Sequence, residues 1–147
     1  MENNNNLNDF LNKWRNETTT NFYLCDILKY YNLNRECKVI MCDEIKNYID
    51  KPNLIFILQT TNERGSHWIL CSKKHHVYFD SYGIIPIREM AQYFGDEEYK
   101  YNTIQVQNPQ TSIFGQLCIY VLLLLSSSTN ENQYTFEEIL CLINGFS

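Results

Sequence analysis

Residues 114–125, Phe-Gly-Gln-Leu-Cys-Ile-Tyr-Val-Leu-Leu-Leu-Leu, constrain the fold more than any other stretch of this chain. Phe114, Leu117, Cys118, Val121, Leu122 and Leu125 follow the i, i+3, i+4, i+7 rule and share one helix face. The opposite side is apolar as well, so the pattern predicts a central, heavily buried helix starting near Phe114. Such a helix must be covered on every side by other elements of the same chain. Its strongly apolar part, Ile119 to Leu125, is far too short to cross a bilayer, and no membrane insertion is expected.

The covering elements can be read from periodicity. Residues 7–15 and 21–31 carry apolar side chains at helical spacing (Leu7, Phe10, Leu11, Trp14; Leu24, Ile27, Leu28, Tyr31). Lys38–Met41 reads as a short strand ahead of the acidic Asp43-Glu44. Leu54–Leu58 is a continuous apolar run rich in strand formers, as expected of a buried strand. His67–Cys71 and Val77–Asp80 read as two more strands, joined by a hairpin-like connection over Lys73–His76. Pro86–Phe94 has the look of a short helix with proline near its first turn. Tyr101–Val106 is a fourth apolar strand candidate in this half of the chain. Tyr134–Ile143 is a last helix, with Thr135 as N-cap and Glu138 as its capping-box partner. The expectation is an α+β fold, a central, mostly antiparallel sheet flanked by helices. It forms one domain over residues 1–147, with residues 1–6, which include the asparagine run Asn3–Asn6, as a flexible N-terminus.

Charge narrows the partners. A formal net charge of -5 gives no general electrostatic reason to bind nucleic acid or an anionic membrane. The one basic cluster, Lys73-Lys74-His75-His76, reads as a solvated turn. The six cysteines (Cys25, Cys37, Cys42, Cys71, Cys118, Cys141) show neither CxxC pairs nor Cys/His spacing suited to zinc, so neither metal nor other cofactor is expected. Without a signal peptide, an intracellular, reducing setting is the simpler expectation, neither secreted nor transmembrane.

The chemistry-bearing residues lie around three strand ends and one helix start. His67 opens one strand and Asp80 closes the next; in an antiparallel hairpin these positions fall at the same end, so the carboxylate can reach the ring. A cysteine protease needs this imidazole and carboxylate, together with a thiolate and donors for a developing oxyanion. A helix N-terminus suits the thiolate, because its partial positive charge lowers the thiol pKa. Gln107 offers a polar donor, and the helix begins at Phe114.

Gly65-Ser66-His67-Trp68, Tyr78-Phe79-Asp80-Ser81-Tyr82-Gly83 and Gln107-Asn108-Pro109-Gln110-Thr111-Ser112 resemble the motifs of the adenovirus-type, adenain-like maturation proteases. The pattern is most similar to those of Polinton (Maverick) elements, virophages and related DNA viruses, within the papain-like superfamily that includes the Ulp-type proteases. The resemblance runs from about Cys42-Asp43-Glu44 to the C-terminal helix. It implies His67 as general base, Asp80 as its orienting carboxylate and Gln107 as an oxyanion donor, with Trp68 lining an extended-peptide cleft. Seven residues after that glutamine the family has its nucleophile, in a Cys-Gly pair opening a helix. Here Phe114 occupies that position, and Gly115 follows it.

A phenyl ring has no lone pair with which to attack. The resemblance therefore implies a protease fold without protease chemistry, a pseudoprotease acting as a peptide- or protein-binding or structural module. Its expected partner is a viral structural protein or peptide segment, met in the host cell or the virion. The alternative is an active cysteine endopeptidase that processes viral capsid precursors, with Cys118 as nucleophile and His67 and Asp80 as base and orienter. Cys118 would then act from a full turn inside the helix, roughly 6 Å along its axis from the N-terminal position.

Overall fold

A computed structural model describes residues 2–15, 19–58, 67–106, 113–127 and 134–144. The chain is α+β, with a five-stranded mixed sheet in the order β1-β2-β3-β4-β5. The strands are β1 (Cys37–Met41), β2 (Asn53–Ile57), β3 (Trp68–Ser72), β4 (Val77–Asp80) and β5 (Lys100–Tyr101). The central pairings β2/β3 and β3/β4 are antiparallel, whereas β1/β2 and β4/β5 at the two edges are parallel. The expected mostly antiparallel sheet is thus corrected to an evenly mixed one. Both parallel edges follow a helical crossover, the 3-10 helix Cys42–Asn47 before β2 and α3 (Met90–Phe94) before β5.

Alternation along the strands divides the core between two faces. Ile55, Trp68, Leu70, Val77 and Phe79 point to one side, where they meet α1 (Glu2–Trp14), α2 (Asn21–Tyr30), α4 (Phe114–Ser126) and α5 (Phe136–Ile143). Leu54, Phe56, Ile69, Cys71 and Tyr78 point to the other and pack on Ile45 of the 3-10 helix and on Met90, Tyr93 and Phe94 of α3. The all-round apolar character of α4 has the expected result. Phe114 through Leu122 are all buried in one unbroken run. No helix among the described residues is long and apolar enough to cross a membrane.

Local chemistry explains the boundaries. Thr20 caps α2 by accepting from the Tyr23 N–H, and Thr135 caps α5 in the expected reciprocal box with Glu138. Helix α1 runs from Glu2 to Trp14 and carries Lys13 in its last turn. Helix α3 covers only Met90–Phe94, and Pro86 stands outside it. β5 stops at Tyr101 instead of running to Val106, because beyond that point a side chain, Asn102, takes over the bonding to β4.

Candidate functional site

The site forms where three elements end together. His67 immediately precedes β3, Asp80 closes β4, and Phe114 opens α4. β3 and β4 pair with Ile69 opposite Asp80, which sets His67 and Asp80 at the same end of the hairpin. His67 Nε2 lies 2.6 Å from Asp80 Oδ1, with the carboxylate side chain 2% exposed and the imidazole 12%. A carboxylate without a proton only accepts, so the contact matches the tautomer with the proton on Nε2, which leaves Nδ1 as the acceptor nitrogen of the ring. Nδ1 is buried and has no hydrogen-bond partner among the described residues.

The carboxylate is held from several sides. Asp80 Oδ1 also accepts from the Tyr82 N–H at 2.8 Å, and the Asp80 carbonyl accepts from the Gly83 N–H at 2.8 Å, closing a tight turn. Gly83 has φ +69, and a Cβ there would lie 2.7 Å from the Ile104 carbonyl carbon. Only glycine suits both the conformation and the space.

On its other side the imidazole meets rings. Phe114, fully buried, packs against His67 with centroids 5.3 Å apart and planes at 76°. Tyr82 lies at 4.5 Å from the same imidazole and at 5.0 Å, perpendicular, from Phe114. These contacts have the tilted and edge-to-face geometries that ring quadrupoles favour. The arrangement holds an imidazole oriented by a carboxylate, and its neighbour at the helix start is a hydrocarbon ring.

Gly115 has a packing reason of its own. A Cβ there would fall 2.8 Å from a methyl of Leu24 and 3.1 Å from Thr19 Cγ2, so the first turn of α4 lies tight against α2. The next residue, Gln116, is buried and donates to the Trp14 carbonyl at 3.0 Å, tying α4 to the end of α1.

Cys118 and Trp68 are both core side chains. Cys118 is completely buried, its thiol directed at the Trp68 carbonyl at 3.5 Å, and burial pushes its pKa well above the usual thiol value. A buried neutral thiol one turn inside the helix, in contact with β3 main chain, is a core side chain and not a nucleophile for His67. Trp68 is 2% exposed, sealed under the helical face of the sheet, so it lines no open cleft. Gln107 lies outside the described residues, as do Gly65, Ser66 and residues 108–112. Among the described residues no cluster of three or more His, Cys, Asp and Glu could hold a metal.

Sequence reasoning missed Tyr82 and Asn102 as parts of the site. Tyr82 stands inside the Tyr78–Gly83 motif, and no spacing rule signals that its ring covers the imidazole. Comparison with protein-family models, with curated proteins and with solved structures returned no match to this chain.

Proposed function

We propose that this chain is a pseudoprotease of the adenain-like kind, a papain-like fold that keeps its base and orienter but has a buried phenylalanine where the nucleophile would stand. One observation carries the reading: the 2.6 Å His67–Asp80 pair lies beside the first residue of a helix, and that residue is Phe114 at ring-contact distance from the imidazole. A thiol at this helix start would meet the two conditions for activation, a neighbouring base and a favourable dipole. The phenyl ring stands at the same base and the same dipole but has no proton to give and no lone pair with which to attack.

The role that remains is binding. Tyr82, Ile84, Ile85 and Ile104 are exposed, the last two by 70% and 72%, and Gly83, in the turn that follows Asp80, lies against the Ile104 main chain. Apolar side chains exposed together favour an interaction surface. On this reading they receive a peptide segment of a structural partner, which the protein holds without cutting.

The test is Phe114→Cys. Its thiol is expected to react with a thiol-directed electrophile, and the variant to cleave peptides from a Gly-Gly-containing library, both only while His67 is present. The unaltered chain is expected to cleave none of them. A folded Phe114→Cys protein whose new thiol reacts no faster after His67→Gln is reversed would refute the retained-dyad reading, and His67-dependent cleavage by the unaltered chain would refute the loss of activity.

A further inference from the structure

We propose that Asn102 is the positioning residue of the His67–Asp80 pair, acting through the main chain of Asp80. This builds on the reading of those two side chains as a retained dyad, and it concerns a residue that touches neither the imidazole nor the carboxylate.

The argument begins with the end of the sheet. β5 pairs with β4 through Val77↔Lys100 and Tyr78↔Tyr101 and then stops. A strand residue directs its N–H and C=O to the same side, and those of Asp80 face the β5 edge, where no ladder partner remains. The Asn102 amide fills that place. Its Oδ1 accepts from the Asp80 N–H at 3.0 Å, and its Nδ2 donates to the Asp80 carbonyl at 2.6 Å and to the Ile104 carbonyl at 3.3 Å. Asparagine is suited to this: its flat amide offers acceptor and donor side by side, as a peptide group does. The residue is 4% exposed, so these bonds face little competition from water.

Fixing both main-chain groups of Asp80 fixes the direction of its Cα–Cβ bond and so limits where the carboxylate can reach. That direction matters because Oδ1 must serve the Tyr82 N–H and His67 Nε2 at once. The same amide holds Ile104 against Gly83, and two residues later the Val106 N–H donates to the Ser81 carbonyl at 2.9 Å. Residues 102–106 therefore act as a strap that clamps the turn after β4. An aspartate at a strand end with only a turn below it would be free to swing; the strap removes that freedom.

Two-bond 1H–15N spectra of the 15N-histidine-labelled protein, at alkaline pH where imidazoles are neutral, read the tautomer directly. His67→Gln assigns the signal. In the unaltered protein His67 is expected as a single tautomer with its proton on Nε2. Asn102→Ala is expected to bring the two nitrogen shifts together, as in a freely exchanging tautomer mixture, and Asn102→Ser, which keeps one hydroxyl, to give intermediate values. Ile45→Val, a change in the opposite face of the core, is expected to lower stability and leave the tautomer untouched. A folded Asn102→Ala or Asn102→Ser protein with the fixed Nε2 tautomer overturns the positioning role. Mixed tautomers already in the unaltered protein overturn the dyad reading itself. One readout needs no variant: the Asn102 side-chain amide protons are expected to exchange at least tenfold more slowly than those of a free amide, and unprotected exchange also overturns the proposal.

Discussion

The two sides of the His67 imidazole are built from opposite materials. At Nε2 it meets a carboxylate that is itself held by the Tyr82 N–H and, through the main chain, by the Asn102 amide. At the helix start it meets Phe114 and Tyr82, ring against ring, while Nδ1 has no hydrogen-bond partner among the described residues. Each orphaned group of a buried polar network costs about 1–3 kcal/mol. On the carboxylate side Nε2 and Asp80 Oδ1 are partnered; on the other side the contacts of the ring are packing. On the pseudoprotease reading, the nucleophile half of the site is core packing while the base half keeps its geometry.

The comparison can be broken most sharply from the aromatic side. Phe114→Ala opens a cavity under a fully buried ring and is expected to cost about 3–5 kcal/mol, read as a lower urea midpoint. If Phe114 were a loosely packed substitute, the loss would be under about 1 kcal/mol. Asp80→Ala attacks the polar side. It strands the Tyr82 N–H and the His67 Nε2 proton, with an expected loss of about 2–3 kcal/mol. A neutral result in the same denaturation experiment would mean that water satisfies both groups.

The smallest effect concerns the thiol behind the aromatic side. Below its ordinary value of 9.0, Cys118 is protonated in both folded and unfolded chains and contributes no pH dependence. Above it the unfolded chain ionises the thiol, while burial keeps it neutral in the fold. Unfolding then releases a proton, and stability falls with rising pH, on the order of 1 kcal/mol per pH unit for each such group. Cys37 and Cys71, also buried and also raised, act in the same direction. Urea midpoints compared between about pH 8 and pH 10 measure the slope, and Cys118→Ala should flatten it by one proton. An unchanged slope would mean that the Cys118 thiol ionises in the fold as well.

Much of this was legible in the sequence, for identifiable reasons. Helix α4 announced itself because apolar residues on every side leave no solvent face, and the Thr135–Glu138 box because both members act locally. The His67–Asp80 contact followed from strand ends alone. The sheet's parallel edges were not legible: periodicity of two gives a strand its faces but not the direction of its neighbour. β5 was read too long because Tyr101–Val106 carries strand formers, while its pairing to β4 passes from main chain to the Asn102 side chain. Trp68 is expected to line a peptide cleft; strand alternation turns its side chain toward the helices, a direction that the motif alone does not give.

The tie between Gln116 and Trp14 has a further consequence, for synthesis and folding order. It joins residues separated by 102 positions, and Thr19 donates to the same amide across 97. Contacts of such span form late, since a long loop must close before they repay its entropy. On the ribosome α1, α2 and all five strands emerge before the helix that seats them. Until then the Leu24, Leu70 and Phe79 side of the nascent protein has nothing to rest on. A chain interrupted before Ser126 would expose that surface to chaperones and to other chains.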